Sequence, residues 1–237
     1  MSRMPFTPIE PSDILRRVPV FSALTEQQFE LVRSRIMERH FEAGELVFAE
    51  GEQCSGLYVV KSGSVRIFKN SPGGREQVLS IDGPGSSVAE LPVFDGGNYP
   101  ASAQTVTEAT LLFYSKQDFH ALCMQYPEVG LKVLAVVGAR LRKLVGIIEE
   151  LSFTTVRHRL AALLTRVART EGKRTAQGIE FTLPSTNQDI AAQIGTVREL
   201  VSRNMSRFQS EGLLRIEGRT VIIPDLKKLM EELKNGE

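Results

Sequence analysis

Hydrophobic and polar positions follow two rhythms along the 237 residues. Between His40 and Ser115, turn signals recur at short intervals: Gly44, Gly51, Gly56, Gly63, Gly73-Gly74, Gly83-Pro84-Gly85 and Gly96-Gly97. The β-rich runs between them, 57–60, 65–68, 77–81 and 110–114, predict the strands of a sandwich or barrel. Helices bracket this β unit. Thr25-Glu26-Gln27-Gln28 has capping-box form and opens a helix with Phe29, Val32 and Ile36 on one face. A second short helix is predicted over 117–124.

A longer helical pattern runs from Pro127 to about Phe153. Leu134, Val137, Leu141, Leu144, Ile148 and Leu151 alternate spacings of three and four, which is a heptad seam that asks for a partner helix. Leu131, Gly138 and Val145 widen the stripe, so one flank can pack on the β unit while the other meets a dimer mate. Beyond it the pattern predicts a helix over 156–169, a strand over 178–183 and two short helices. A hairpin over 213–223 turning at Glu217-Gly218 and a last helix over 225–233 complete the chain. The whole reads as an α+β chain.

Composition bounds this picture. An apolar share of 42% supports a sizeable core. The sequence has no apolar run long enough to span a bilayer and no apolar stretch behind its basic start, so a cytoplasmic protein is expected. Cys54 and Cys123 are too few for a disulfide framework or, by themselves, an iron–sulfur cluster, and are read as free thiols. Charge is uneven: residues 1–150 carry 15 Lys and Arg against 18 Asp and Glu, and residues 151–237 carry 14 against 10. A basic C-terminal third suggests a polyanion-binding module joined to one that is not.

The segment 186–208 names that module. Thr186 with Asp189, and Thr196 with Glu199, each place an N-cap oxygen three residues before an acid, predicting two helix starts ten residues apart. Gly195 between them allows a left-handed turn, and the small Ala191 lets the helices cross closely. With the following hairpin this is a helix-turn-helix with a β wing. Its second helix exposes Arg198, Glu199, Ser202 and Arg203 near its N-terminal end, where a recognition helix meets base edges. Arg203 matches guanine O6 and N7, and Glu199 can accept from cytosine N4. Thr186, Asn187, Thr196, Arg207, Arg215 and Arg219 are expected nearer the phosphates. The competing reading, a solvated face of a protein-docking domain, does not need a capped recognition helix and wing.

Four motifs carry a wider resemblance: Phe21-Ser-Ala-Leu-Thr25, Phe41-Glu-Ala-Gly-Glu-Leu-Val-Phe48, Gly56-Leu-Tyr-Val-Val-Lys-Ser-Gly-Ser-Val-Arg-Ile67 and Val197-Arg-Glu-Leu-Val-Ser-Arg203. In order and spacing they resemble the cyclic-AMP receptor / fumarate–nitrate regulator (Crp/Fnr) superfamily over about residues 14–233. The resemblance implies a double-stranded β-helix (jelly-roll) sensor over 1–126, a dimerisation helix over 127–153 and a winged helix-turn-helix over 154–237. It also implies a homodimer on a palindromic promoter with TTGAT-like or TGTGA-like half-sites, and RNA polymerase as a protein partner. Glu199, Ser202 and Arg203 match its base-reading positions, and Arg198 the extra arginine of the cyclic-AMP branch.

The stretch Val88–Ser102 occupies the place of the family's phosphate-binding cassette, yet no lysine or arginine occurs from Glu76 to Ser115. Glu90-Leu91 matches the glutamate that holds a ribose hydroxyl. Ala89 replaces the usual glycine, Pro100 the phosphate-pairing arginine, and Ala101 a serine or threonine. Leu144 and Val145 align with a polar pair that contacts adenine. A buried cyclic phosphate without its arginine would remain an unpaired charge, so cyclic AMP is disfavoured. A haem-borne gas and an uncharged or apolar effector are expected on an equal footing, with a redox signal or ligand-independent binding as the further options. Haem needs an axial ligand, and only His40, His120 and His158 are available. The histidines are too scattered for a cupin-type metal oxygenase, and the chain is read as a non-enzyme.

Overall fold

A computed structural model describes residues 11–22, 24–183 and 186–233. Ala23 of the Phe21–Thr25 motif and the N-terminal residues 1–10 lie outside the described residues. The chain divides into two units: the residues up to Lys69 join Leu79–Lys143, and Asn70–Val78 join Leu144 onward.

The first unit opens with α1 (Pro11–Arg17), a 3-10 turn (Pro19–Phe21) and α2 (Glu26–Arg33). The roll follows: β1 (Met37–Phe41), β2 (Leu46–Phe48), β3 (Gly56–Ser62), β4 (Val65–Asn70), β5 (Glu76–Asp82), β6 (Ser87–Val88), α3 (Glu90–Asp95), β7 (Ser102–Thr105) and β8 (Ala109–Ser115). Next are α4 (Lys116–Gln125) and α5 (Pro127–Phe153), the helix that continues into the second unit. Two four-stranded sheets, ordered β1-β8-β3-β6 and β2-β7-β4-β5, make the jelly roll. Leu57, Val65, Val88, Ala103 and Leu111 from both sheets share one core with Phe21, Phe29 and Phe119. β3 is a continuous apolar run because its first five residues are buried, with α1, α3 and α4 packed against it.

The capping box at Thr25 and Gln28 forms as predicted, but α2 ends at Arg33. Ile36 therefore lies beyond the helix, packed on the core from the connection to β1. Within the cassette, residues 90–95 form a short helix, α3, bounded by left-handed residues Ala89 and Gly96.

The second unit contains α6 (Val156–Thr170), β9 (Lys173–Thr175), β10 (Gly178–Thr182), α7 (Asn187–Ile194), α8 (Arg198–Ser210), β11 (Arg215–Glu217), β12 (Thr220–Ile223) and α9 (Leu226–Glu231). Its antiparallel sheet is ordered β9-β10-β12-β11. Leu160, Leu164, Phe181, Ile190, Val201, Phe208 and Val221 form its core. The wing register pairs Glu217 with Thr220, which moves the two-residue turn from Glu217-Gly218 to Gly218-Arg219. The exposed strand β9 has no apolar pattern that would predict it.

Candidate nucleic-acid interface and effector cassette

α7 begins at its predicted cap: the Thr186 hydroxyl accepts from Asp189 N, and the Asp189 carboxylate accepts from Thr186 N at 2.9 Å. It ends at Gly195, whose φ of 67° and ψ of 47° are left-handed, with its N–H donated to Ala191 O. Ala191 is fully buried, as close crossing of α7 and α8 requires.

The second start differs from the expectation. α8 opens at Arg198 behind Val197, which supplies no side-chain cap. Thr196 is 5% exposed and its N–H donates to Ala191 O at 2.9 Å, so it belongs to the turn and does not cap α8. Val201, Met205 and Phe208 bury the inner face of α8.

The outer face carries the candidate readers. Arg198, Glu199 and Arg203 are exposed, and no hydrogen bond or ion pair with another described residue engages their side chains. Ser202 is half-buried, and its hydroxyl accepts from Asn187 Nδ2 at 3.0 Å, which locks the first residue of α7 to the reading face. Arg207 pairs with Glu211 at 2.9 Å, Arg215 donates to Gln177 Oε1 at 2.8 Å, and Arg219 reaches Leu183 O at 3.4 Å. All three guanidiniums remain exposed.

Arg157 supports this surface from behind. Its guanidinium bonds Glu232 at 2.5 Å and Glu211, and lies 4.7 Å from the centre of the Phe208 ring. The arginine holds both carboxyls below their usual range, and their hydrogen bonds raise its own pKa.

In the cassette, Glu90 is 2% exposed. Ser87 Oγ donates to it, and Arg140 of α5 approaches Glu90 Oε1 at 3.2 Å and Asp82 at 3.6 Å while also donating to Ser87 O. Burial raises the Glu90 pKa despite the opposing effects of Arg140 and Ser87. The carboxylate aligned with a ribose ligand thus already has a cationic partner. Sequence reasoning missed Arg140; the available signal was its place one helical turn before Leu144. Ala101 is buried, Leu91 and Pro100 are exposed, and Lys69 Nζ contacts Pro100 O at 3.0 Å. Leu144 and Val145 are exposed on α5.

His40, on β1, contacts Thr110 Oγ1 at 3.1 Å. His120, on α4, lines a surface cavity of about 510 Å3 with Ser55, Ser115, Lys116 and Gln117. His158 lies on α6. Cys54 is buried, and burial pushes the Cys123 thiol up to about 11, far from thiolate character at neutral pH. Among the described residues no helix is long and apolar enough to cross a membrane.

Comparison with known proteins agrees with this architecture. A cyclic nucleotide-binding domain model matches residues 38–126, and a Crp-like helix-turn-helix domain model matches residues 158–232. The CRP-like cAMP-activated global transcriptional regulator of Mycobacterium tuberculosis is 32% identical over 217 residues, 92% of this chain and 97% of that protein. The cyclic AMP receptor protein of Thermus thermophilus is 32% identical over 218 residues, with the same coverages. In fold, the chain resembles a putative regulator of the Crp/Fnr family from Eubacterium rectale, with a TM-score of 0.79 at 21% identity over 92% of this chain and 99% of that one. This chain belongs to the Crp/Fnr family of transcription regulators.

Proposed function

We propose that the chain acts in the cytoplasm as a homodimer on a palindromic promoter site, with the two α8 helices in successive major grooves about 34 Å apart. Residues 1–126 serve as the sensing domain, 127–153 as the dimerisation helix and 154–237 as the DNA-binding domain. Arg198, Glu199, Ser202 and Arg203 read bases; Thr186, Asn187, Thr196, Arg207, Arg215 and Arg219 stand at phosphates, and bound RNA polymerase is the downstream partner. The observation that carries the DNA reading is the set of three exposed charges on the outer face of α8, with no partner among the described residues. Such charges are solvated at low cost and remain free to meet base edges.

The sensing domain answers to a signal other than cyclic AMP. Support comes from Pro100 and Ala101 at the expected phosphate contacts, and from Glu90 being engaged by Arg140. The relatives named for cyclic AMP make this a direct test. Fluorescence anisotropy on a site selected from random DNA should give the same affinity with and without cyclic AMP; a gain of tenfold or more, about 1.4 kcal/mol, would overturn it. An absorption spectrum and mass analysis of the purified protein would identify a co-purifying effector. In the same assay Arg203→Ala should lose about 1 to 3 kcal/mol of discrimination at one guanine, while Arg219→Ala weakens all duplexes evenly. Equal losses on selected and scrambled DNA for Arg203→Ala would remove Arg203 from base reading.

A further inference from the structure

Arg159, near the start of α6, is 9% exposed and forms no direct ion pair with a carboxylate among the described residues, although the Glu150 charge favours its protonated form. Its hydrogen bonds go to backbone carbonyls at two helix ends. Nη1 donates to Thr154 O at 2.6 Å and to Glu150 O at 3.2 Å, at the C-terminal end of α5; it also touches the Thr154 hydroxyl at 3.5 Å. Nε donates to Ile194 O at 2.7 Å, the last residue of α7 before the Gly195 turn. Both sites are the negative ends of helix dipoles, which suits a buried cation.

A second contact joins the same two places. A Cβ built on Gly195 would lie 2.3 Å from Leu151 Cδ2, so the last side chain of the predicted seam already rests against the turn. Leu151 is 38% exposed, close to Leu144 at 37%, whereas Leu134, Leu141 and Ile148 are 60% or more.

We propose that Arg159 is the positioning residue that couples the C-terminal end of α5 to the turn between α7 and α8, so that α5 sets the direction in which α8 meets DNA. The planar guanidinium is suited to this because its donors diverge in fixed directions toward two helix ends, with Leu151 as the apolar half of the clamp. A lysine at this position keeps the charge but presents one compact head, unable to hold both carbonyl sets in the same geometry.

The inference rests on α8 being the DNA-reading helix, and its test separates the two claims. Full-length protein and the variants Arg159→Lys, Arg159→Met and Leu151→Ala are compared by anisotropy on the selected duplex and by amide hydrogen exchange. Arg159→Lys should weaken binding by about tenfold or more, in line with the loss of a charge-assisted hydrogen bond. Exchange should rise at residues 151–154 and 195–196 together, while 179–181 and 221–223 stay protected. Arg159→Lys and Leu151→Ala should be non-additive, as members of one coupling are.

Two results overturn the proposal: binding within about twofold of the parent with unchanged exchange at both ends, or a uniform loss of protection through the second unit, which marks a residue that only stabilises the core. Arg203→Ala, run alongside, reports on the reader assignment. If it leaves discrimination intact while Arg159→Lys opens both clamp ends, the reading of α8 fails and the clamp stands.

Discussion

Ala89 has φ 73° and ψ 31°, and is the one non-glycine at positive φ among the described residues. A Cβ in that conformation costs about 1–2 kcal/mol, more than the roughly 0.4–1 kcal/mol of extra unfolded-chain entropy that glycine brings. Ala89→Gly is therefore expected to raise stability by about 0.5–1 kcal/mol in urea titration, without altering DNA affinity. A lowered midpoint would show that the strain is absent. The alanine in a glycine's place was legible in the sequence as a departure from the family pattern. The persistence of the left-handed backbone was not, because side-chain identity alone does not reveal whether a segment has relaxed or kept its strain. The same limit hid the Arg140–Glu90 pair: 50 residues separate the partners, and only the roll of α5 against the cassette brings them within 3.2 Å.

The elements most legible in the sequence were those with strong internal periodicity. α5 spans Pro127–Phe153 as predicted, and α7 starts at its capping box. The start of α8 was misplaced because the Thr196 backbone is already committed to Ala191, a demand of the turn that a capping pattern does not contain. The far end of α8 depends on Arg157, which ties Glu211, just past α8, to Glu232 after α9. Replacing Arg157 by methionine keeps the apolar stem over Phe208 and removes the ion pairs. The expected cost is about 1–2 kcal/mol at neutral pH, limited by the partial exposure of Glu211. Both glutamates have depressed pKa values, so their contribution is present above the ordinary carboxyl range near about 4.3 and is lost as pH falls through their folded values. Denaturation of parent and Arg157→Met should therefore converge as pH falls below the folded values of both glutamates. A difference that stays constant with pH would place the effect in packing instead.

At the scale of the whole molecule, the exposed stripe of α5 bears on the proposed homodimer. Leu134, Leu141 and Ile148 are 67%, 60% and 63% exposed in the single chain, a row of large apolar side chains that water would have to cover. Leu141→Glu or Ile148→Glu should leave the isolated fold intact yet weaken self-association by about a hundredfold, since each dimer would bury two unpaired charges. Sedimentation equilibrium checks this: the parent should run at twice 26.3 kDa and the variants at that mass itself. A monomeric parent would refute the seam. By itself, the sequence determined the order of roll, long helix and winged helix-turn-helix, the extent of α5 and the face of α8 that carries Arg198, Glu199 and Arg203. These follow from spacings within a few turns of chain, where periodicity and capping act. Only the tertiary structure decided that Glu90 is held by Arg140, that Leu151 rests on Gly195, and that Arg159 joins two helix ends. Those contacts depend on how helices roll and pack after long stretches of chain have closed, and local sequence carries no measure of that distance.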